Sequence, residues 1–394
     1  MKLPLAQLLT FLGMVLLIAT GMATWLSWRL VWILDLPAPW SLVGTAAIVG
    51  WIGLMVAGMI LPRLLGKGPV MDRFAQLAFL ALGLFSLVLS TTMVRDLLWL
   101  SWDLFSGIPA LAAVASVPRL DRALAGSTVA IGGISLGLLL LGWRQARSTP
   151  AVRRVEIPIA GLPAALDGFT IAQLSDIHVG PTIDATWLAP VVARTNELQA
   201  DLVVITGDVV DGSVRDLARH VAPLGGLRGR HGTFFVTGNH EYYAGARDWC
   251  AHMQGLGLRV LDNEHVLIEH GTGRLLLVGV PDHHAGRFPG HRAPDPAAAL
   301  AGAPSRDTTV LLAHQPRTGR LAQGLGIDLQ LSGHTHGGQI WPWMHMVWLQ
   351  QPMTAGLERL GDLQVYTSRG TGYWGPPVRL GAPPEISLLV LRAA

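Results

Sequence analysis

Leu202-Val203-Val204-Ile205-Thr206-Gly207-Asp208 contains the pattern that decides the fold of this chain: a β-branched apolar run followed at once by a small residue and an acid. Such a run is typical of a strand that is buried on both faces. The pattern recurs at Thr170–Leu174, which leads into Asp176-Ile177-His178, and at Thr233–Val236, which leads into Gly238-Asn239-His240-Glu241. Rigid strands with exposed loops at their ends are where an α/β enzyme brings polar groups together. The sequence therefore predicts an α/β domain with a polar site at its strand ends.

Short apolar runs predict further strands, and apolar residues at helical spacing predict two helices. The further strands are Val152–Ile159, Leu275–Val278, Val310–Leu312, Leu329–Leu331, Gln364–Tyr366 and Ile386–Leu391. The helices are Trp187–Leu198 and Arg247–Leu256.

The first part of the chain has a different composition, rich in apolar residues and poor in charge. A membrane-spanning helix needs about 20 mostly apolar residues. Four stretches reach this length without a charged residue: Leu5–Trp28, Trp40–Leu61, Phe74–Val94 and Ala123–Trp143. A weaker fifth, Leu97–Val117, contains Asp103 and Pro109, and it is either another span or a continuation of the third helix followed by a surface segment. We expect a transmembrane region of about four helices at residues 1–147 and an α/β domain at residues 152–394.

The distribution of Lys and Arg predicts how the spans are oriented, because cytoplasmic loops carry the excess of these residues. With four spans, one side holds Lys2, Arg63, Lys67, Arg73, Arg144, Arg147, Arg153 and Arg154, and the other holds Arg29, Arg119 and Arg122. This bias predicts a multi-pass protein of the cell inner membrane with a cytoplasmic domain. With five spans the bias nearly vanishes, and the domain could face outward.

Composition excludes two classes of function. The only cysteine is Cys250, so neither an intramolecular disulfide nor a Cys-based metal site can form. The net charge of +3 arises among the hydrophobic segments, and the domain after them is nearly neutral. A basic surface for nucleic acid is therefore not expected.

The polar residues at the predicted strand ends form a set of oxygen and imidazole ligands. They are Asp176, His178, Asp208, Asn239, His240, His314, His334 and His336. Such ligands suit Mn, Fe or Zn. If one carboxylate bridged, seven of them could hold two divalent ions about 3.5–4 Å apart, a spacing that serves in-line displacement at phosphorus.

These residues resemble the calcineurin-like metallophosphoesterases, whose motifs are D-x-H, G-D, G-N-H-E/D, H and G-H-x-H. All five occur here in order, ending with His314 and Gly333-His334-Thr335-His336. The resemblance covers roughly residue 156 to the C-terminus and implies a four-layer α/β sandwich, with two mixed sheets flanked by helices. Gly337-Gly338-Gln339 and Ser368-Arg369-Gly370-Thr371-Gly372 look like the membrane-anchored bacterial branch of the family.

The resemblance also implies a role for each site residue. Asp176, His178 and His336 would bind one metal, Asn239, His314 and His334 the other, and Asp208 both. His240 would hydrogen-bond a phosphate oxygen or protonate the leaving group. Asn239 is also a candidate substrate contact. Arg369 is a candidate phosphate clamp, with a surface salt bridge as the alternative. Asp211 either orients a ligand or only forms a turn.

The family resemblance implies hydrolysis of a phosphodiester or pyrophosphate. A membrane anchor favours a phosphorylated lipid or lipid-linked substrate, and UDP-diacylglucosamine is one candidate because some relatives of this branch hydrolyse it. The alternatives are a broad phosphodiesterase acting on soluble nucleotides or esters, and a non-catalytic membrane receptor or scaffold. Ile340–Met353, rich in Trp and Met, is a loop that enters the membrane, a loop that lines an entry for a lipid tail, or a covered hydrophobic loop within the domain.

Overall fold

The computed structural model describes residues 5–65, 68–106 and 117–394. The chain forms two compact units, Met1–Leu141 and Gly142–Ala394. The first unit and the start of the second consist of long helices. They are α1 (Leu5–Leu30), α2 (Ala38–Leu65), α3 (Pro69–Ser106) and α4 (Val117–Arg147).

The helices contain four segments that are long and apolar enough to cross a membrane: Gly13–Leu34, Ala38–Pro62, Val70–Trp102 and Ala125–Arg147. Many of their leucines and valines point outward, which lipid tolerates and water does not. The described residues thus contain four candidate spans, the number that the sequence predicts, and the bounds of the membrane region stay a prediction. The third is longer than predicted because α3 continues through Ser106.

The weak segment Leu97–Val117 is in part a continuation of the third helix. Its residues up to Ser106 belong to α3, and residues 107–116 lie outside the described ranges. Two of the loop charges used for orientation, Lys2 and Lys67, also lie outside them.

The second unit contains two six-stranded mixed sheets. The first has the order β1-β12-β2-β3-β4-β5, with strands β1 (Ala151–Ile159), β2 (Thr170–Leu174), β3 (Leu202–Thr206), β4 (Thr233–Val236), β5 (Arg259–Val260) and β12 (Glu385–Ala393). The second has the order β10-β11-β9-β8-β7-β6, with strands β6 (Glu264–His270), β7 (Gly273–Gly279), β8 (Thr308–Leu312), β9 (Leu329–Ser332), β10 (Gly356–Leu360) and β11 (Leu363–Thr367).

Helices cover the outer faces of both sheets. They are α5 (Ala185–Asn196), α6 (Val214–Val221), α7 (Asn239–Ala244), α8 (Ala246–Gly255), α9 (Pro296–Leu300) and α10 (Gly319–Ala322). Alternate residues of β3 lie on opposite faces of the sheet. Leu202 and Val204 pack between the two sheets, and Val203 and Ile205 pack against the helices. The expected four-layer sandwich is confirmed, and the continuous apolar runs are explained by burial on both faces.

Candidate metal centre

The site lies where parallel strands of the two sheets end. In the first sheet, Asp176 and His178 follow β2, Asp208 follows β3, and Asn239 begins α7 just after β4. In the second sheet, His314 follows β8, and His334 and His336 follow β9. Because neighbouring parallel strands end at the same edge, these loops converge.

Most of the predicted ligands have an unusual backbone conformation. The torsion φ is 53° at Asp176, 54° at His178, 53° at Asp208, 71° at His334 and 52° at His336. Residues other than glycine rarely adopt this left-handed region, and strain of this kind concentrates at functional sites. The turns therefore orient these side chains at an energetic cost.

Two glycines allow the loops to approach each other. A β-carbon at Gly238 would overlap the carboxylate of Asp208, and one at Gly333 would overlap that of Asp176. A larger residue at either position would push apart a pair of loops that carry predicted ligands.

The first ligand group consists of Asp176, His178 and His336, all buried. The Nε2 atoms of His178 and His336 are 3.1 Å apart, and His336 Nε2 is 3.6 Å from Asp176 Oδ1. The backbone N–H of His334 donates to both carboxylate oxygens of Asp176, at 2.9 and 3.0 Å, which fixes the carboxylate in place.

The second group consists of Asp208, His314 and His334. His314 Nε2 is 3.1 Å from Asp208 Oδ2 and 3.1 Å from His334 Nδ1. His314 Nδ1 lies 2.7 Å from the carbonyl oxygen of Thr206 and is therefore its donor, which leaves Nε2 to face Asp208 and His334. Burial lowers the pKa of His314, but the charge of Asp208 outweighs it and raises the pKa well above the usual value, so a bound ion would take the place of the Nε2 proton. Asp208 also lies beside the first group, with Oδ2 3.8 Å from His178 Nε2.

These spacings fit divalent metal ions. Bonds of about 2.1 Å at tetrahedral or octahedral angles place neighbouring ligand atoms about 3.0–3.4 Å apart. The 3.1 Å separations fall in that range, and the other two need shifts of a few tenths of an ångström. Asn239 provides a second observation, because its buried Oδ1 accepts no hydrogen bond from the described residues. A buried acceptor of this kind needs a partner, which an ion would supply.

The electrostatics of the site also suit cations. Burial, together with nearby His314, lowers the pKa of His334 to about 3, and burial with the charge of Arg379 holds the pKa of His336 well below its usual range. Both rings are therefore neutral and able to ligate. Burial raises the pKa of Asp208, but His314 outweighs it and keeps the pKa well below the usual value.

Asp211 connects a predicted ligand to the predicted acid. Its Oδ1 lies 3.0 Å from His178 Nδ1 and 2.6 Å from His240 Nδ1. Burial lowers the pKa of His240, but the hydrogen bond to Asp211 and the charge of Asp208 outweigh it and raise the pKa to about 9. Of the two interpretations of Asp211, the geometry favours orientation of ligands over a turn alone.

Glu241 braces the loops from beneath the site. Its buried carboxylate accepts the backbone N–H groups of Asp208, Val209 and Gly238, at 2.9, 2.7 and 2.6 Å. The last residue of the Gly238–Glu241 motif thus holds the β3 and β4 loops together.

Two site residues were not anticipated from the sequence. Arg379 is fully buried and donates to the carbonyl oxygen of His336 at 2.6 Å. Trp374 places its ring 5.8 Å from that of His240. Both lie in the loop before β12, where no spacing or motif indicates them.

The guanidinium of Arg369 forms a salt bridge with Glu385. Its Nη1 donates to Glu385 Oε2 at 3.2 Å, and its aliphatic stem lies against Gly337 beside His336. The salt bridge that was the alternative interpretation is present, and the contact with phosphate stays a prediction.

Comparison with known proteins gives one family. Residues 169–338 match the family model described as calcineurin-like phosphoesterase. A transmembrane protein with metallophosphoesterase domain from Danio rerio is 39% identical over 270 residues, which are 66% of this chain and 62% of the relative. Its counterpart from Bos taurus is 42% identical over 270 residues, 65% of this chain and 60% of the relative.

A bacterial relative is similar to the same extent. A metallophosphoesterase of Helicobacter pylori is 39% identical over 264 residues, 66% of this chain and 69% of the relative. This chain therefore spans less than two thirds of the vertebrate relatives and slightly more of the bacterial one. Similarity extends to animals as well as bacteria, so it is broader than the bacterial branch indicated by the motifs.

Proposed function

Because this chain belongs to the calcineurin-like metallophosphoesterase family, we propose that it is a membrane-anchored enzyme that uses two divalent ions to hydrolyse a phosphodiester or pyrophosphate. The observation that carries the proposal is the convergence of His178, His336, His314 and Asp208, with ligand atoms 3.1 Å apart in two adjacent groups. The membrane region would be residues 1–147 and the catalytic domain residues 152–394.

Each ligand has a proposed place. Asp176, His178 and His336 would hold one ion, Asn239, His314 and His334 the other, and the carboxylate of Asp208 would contact both. Two ions in such a site would bind phosphate oxygens, offset the charge that develops on them and lower the pKa of bound water, so that hydroxide is available as the nucleophile near neutral pH. Manganese, iron and zinc all suit this set of oxygen and imidazole ligands.

His240 is the proposed acid of the reaction. Its Nδ1 is held by Asp211 at 2.6 Å, which leaves Nε2 to donate to a phosphate oxygen or to the leaving group. Asp211 is a positioning residue, because it acts through His240 and His178. Asn239 and Arg369 are proposed to contact substrate as well.

The proposed substrate is a phosphorylated lipid or lipid-linked molecule, of which UDP-diacylglucosamine is one candidate. The four candidate spans support this choice, because they keep the domain at a bilayer surface. We further propose that the protein is bacterial and resides in the inner membrane. The distribution of Lys and Arg supports a cytoplasmic position for its domain.

The first experiment is hydrolysis of bis-p-nitrophenyl phosphate by the purified full chain with Mn²⁺, before and after chelation. We expect metal-dependent turnover that falls at least about 100-fold in Asp208→Ala, since one substitution removes a ligand from both ions. Glu197→Gln, on an exposed helix end where Glu197 pairs with Arg194, is the matched control. No turnover with Mn²⁺, Fe²⁺ or Zn²⁺ on diester, monoester or lipid substrates would favour the non-catalytic receptor or scaffold.

A substrate panel separates lipid from soluble substrates. UDP-diacylglucosamine in detergent micelles is compared with a soluble nucleotide diester at equal concentration. A higher kcat/KM for the lipid-linked compound supports the proposal, and a preference for the nucleotide supports the broad soluble phosphodiesterase.

A further inference from the structure

Residues Trp341–Leu349, here called the tryptophan loop, expose a group of large apolar side chains. The exposed fraction is 42% at Trp341, 53% at Met346, 66% at Trp348 and 60% at Leu349. Single apolar residues on a surface are common, but a contiguous group marks a contact surface. Its composition is informative, because indole rings favour the boundary between lipid headgroups and acyl chains.

The loop is built onto the segments that carry the predicted ligands. Gly338, two residues after His336, packs so closely on Met344 that a β-carbon would overlap the Met344 backbone. On the far side of the loop, Gln351 Nε2 donates to Gln315 Oε1 at 3.1 Å, next to His314. A displacement of the loop would therefore reach both ligand groups.

The same loop is joined to the end of the last span. The N–H of Trp341 donates to the carbonyl oxygen of Leu380 at 2.9 Å, and the N–H of Arg379 donates to that of Gly142 at 3.0 Å. Val378 fills the space where Gly142 would carry a β-carbon. Gly142 belongs to the span Ala125–Arg147 and to the same compact unit as the loop.

This connection sets the level of the loop relative to a bilayer. The five residue steps from Gly142 to Arg147 correspond to about 7–8 Å along the helix axis. Interfacial segments lie about 5–10 Å deep at the headgroup boundary. Val378–Leu380, which contact Gly142, and Trp341, which is hydrogen-bonded to Leu380, are therefore attached at the depth in the bilayer that indole rings prefer. Arg144 and Arg147 in the last turn of α4 add positive charge, which anionic headgroups attract.

We propose that the tryptophan loop binds the bilayer surface and holds the predicted metal centre next to the lipid headgroups. Trp374 extends the same face toward the predicted acid: its carbonyl oxygen accepts from Gln339 Nε2 at 2.9 Å, and its ring lies beside His240. The membrane contact is argued from the exposed side chains, these distances and the position of Gly142 in the last span, and it does not depend on the enzymatic function. Its consequence, preference for a substrate that stays in the bilayer, rests on the proposed phosphoesterase function.

The contact is tested by fluorescence quenching on the full chain in nanodiscs of phosphatidylcholine and phosphatidylglycerol. An environment-sensitive fluorophore is attached to Trp348→Cys, and doxyl-labelled lipids serve as quenchers. Burial raises the pKa of the native Cys250 thiol to about 12, so the introduced thiol is labelled selectively near neutral pH. Leu321→Cys, at an exposed apolar position on α10, is the matched control. We expect at least about twofold stronger quenching at position 348 than at 321.

Equal quenching at the two positions would overturn the proposal. A second measurement on the same nanodiscs tests the consequence: in Trp348→Ser, the ratio of kcat/KM for a bilayer-embedded substrate to that for bis-p-nitrophenyl phosphate should fall at least about fivefold. If quenching occurs but no substrate is hydrolysed, the membrane contact stands and the proposed function fails. An unchanged ratio with strong quenching would overturn the consequence for substrate preference.

Discussion

Each of the five positive-φ ligand positions holds its side chain at the expense of local backbone strain. A left-handed residue with a β-carbon costs about 1–2 kcal/mol relative to an ordinary conformation. Asp176, His178, Asp208, His334 and His336 all carry this cost. His314 is not among the positive-φ residues, so it provides an internal comparison.

The strain predicts a reversal between two pairs of substitutions. His336→Gly should be about 0.5–1 kcal/mol more stable than His336→Ala without metal, because glycine relieves the left-handed conformation. At His314 the order should invert by a similar amount, since glycine there only adds entropy to the unfolded chain. Urea unfolding of the full chain in detergent, followed by pulse proteolysis, measures both pairs. The same order at both positions would contradict the assignment of strain.

Asp211 predicts a graded effect on turnover. Asp211→Ala should lower kcat for the diester about 10–100-fold and weaken metal binding, because His178 and His240 both lose their partner. Asp211→Asn should lose less, since both rings contact the same oxygen, Oδ1, and an amide oxygen in its place can still accept. Rates and bound metal are measured together. The control is Asp307→Asn, because Asp307 is an exposed acid that accepts from the N–H of Arg274. Equal loss of turnover in Asp211→Asn and Asp211→Ala would mean that the charge of Asp211 is its only contribution.

At the scale of elements, helix α5 depends on a single capping residue. Asp184 Oδ1 accepts from the N–H groups of Thr186 and Trp187 at 3.0 and 3.2 Å, and the buried face of α5, including Trp187, packs on the first sheet. Asp184→Ala should destabilise the domain by about 1 kcal/mol, and Asp184→Asn, which keeps an acceptor, by much less.

The same cap predicts a dependence on pH. Burial raises the pKa of Asp184, but the hydrogen bonds from Thr186 and Trp187 outweigh it and lower the pKa below the value of the unfolded chain. A depressed pKa means that the stabilisation is present above the unfolded value and is lost as pH falls through the folded one. The difference in unfolding free energy between the native chain and Asp184→Asn should therefore shrink between pH 5 and pH 3, which urea titrations at each pH would measure.

Sequence predicted the central strands better than the edge strands, and burial explains why. β3 and β4 are apolar on both faces and appear at almost the predicted residues. Three of the four edge strands, β5, β6 and β10, were missed, whereas the fourth, β1, was predicted because its residues alternate. An edge strand with one solvated side has no continuous apolar run, so composition does not distinguish it from a loop.

The predicted ligands could be found because each follows a strand directly. Arg379 could not be found in this way, since its contact with His336 exists only once the loop before β12 folds back across the site. Residues that meet only in the folded structure, at no regular spacing along the chain, leave no pattern in the sequence by which to find them. The same holds for Trp374, whose ring meets His240 from a distant part of the chain.

At the scale of the whole molecule, the last strand completes the first sheet. β12 lies between β1 and β2, parallel to the former and antiparallel to the latter. Removing residues 385–394 would leave β1 unpaired and expose the core between the sheets. A chain that ends at Pro384 should lose the protease resistance of the domain while the spans still insert. Removal of Ala394 alone is the control, and a resistant truncated domain would contradict the role of β12.

The arrangement of spans predicts which side of the membrane the domain occupies. An even number of crossings places the N-terminus and the domain on one side, and Arg144 and Arg147 at the end of α4 favour the cytoplasm for it. Fusions at the C-terminus, expressed in a bacterial inner membrane, test this: green fluorescent protein should fluoresce and alkaline phosphatase should be inactive. Charge reversal at both arginines should reduce the fraction of molecules whose fused green fluorescent protein fluoresces. It removes the positive charges nearest the domain, which favour the cytoplasmic side. Active alkaline phosphatase with the native sequence would place the domain outside the cytoplasm and contradict the predicted orientation.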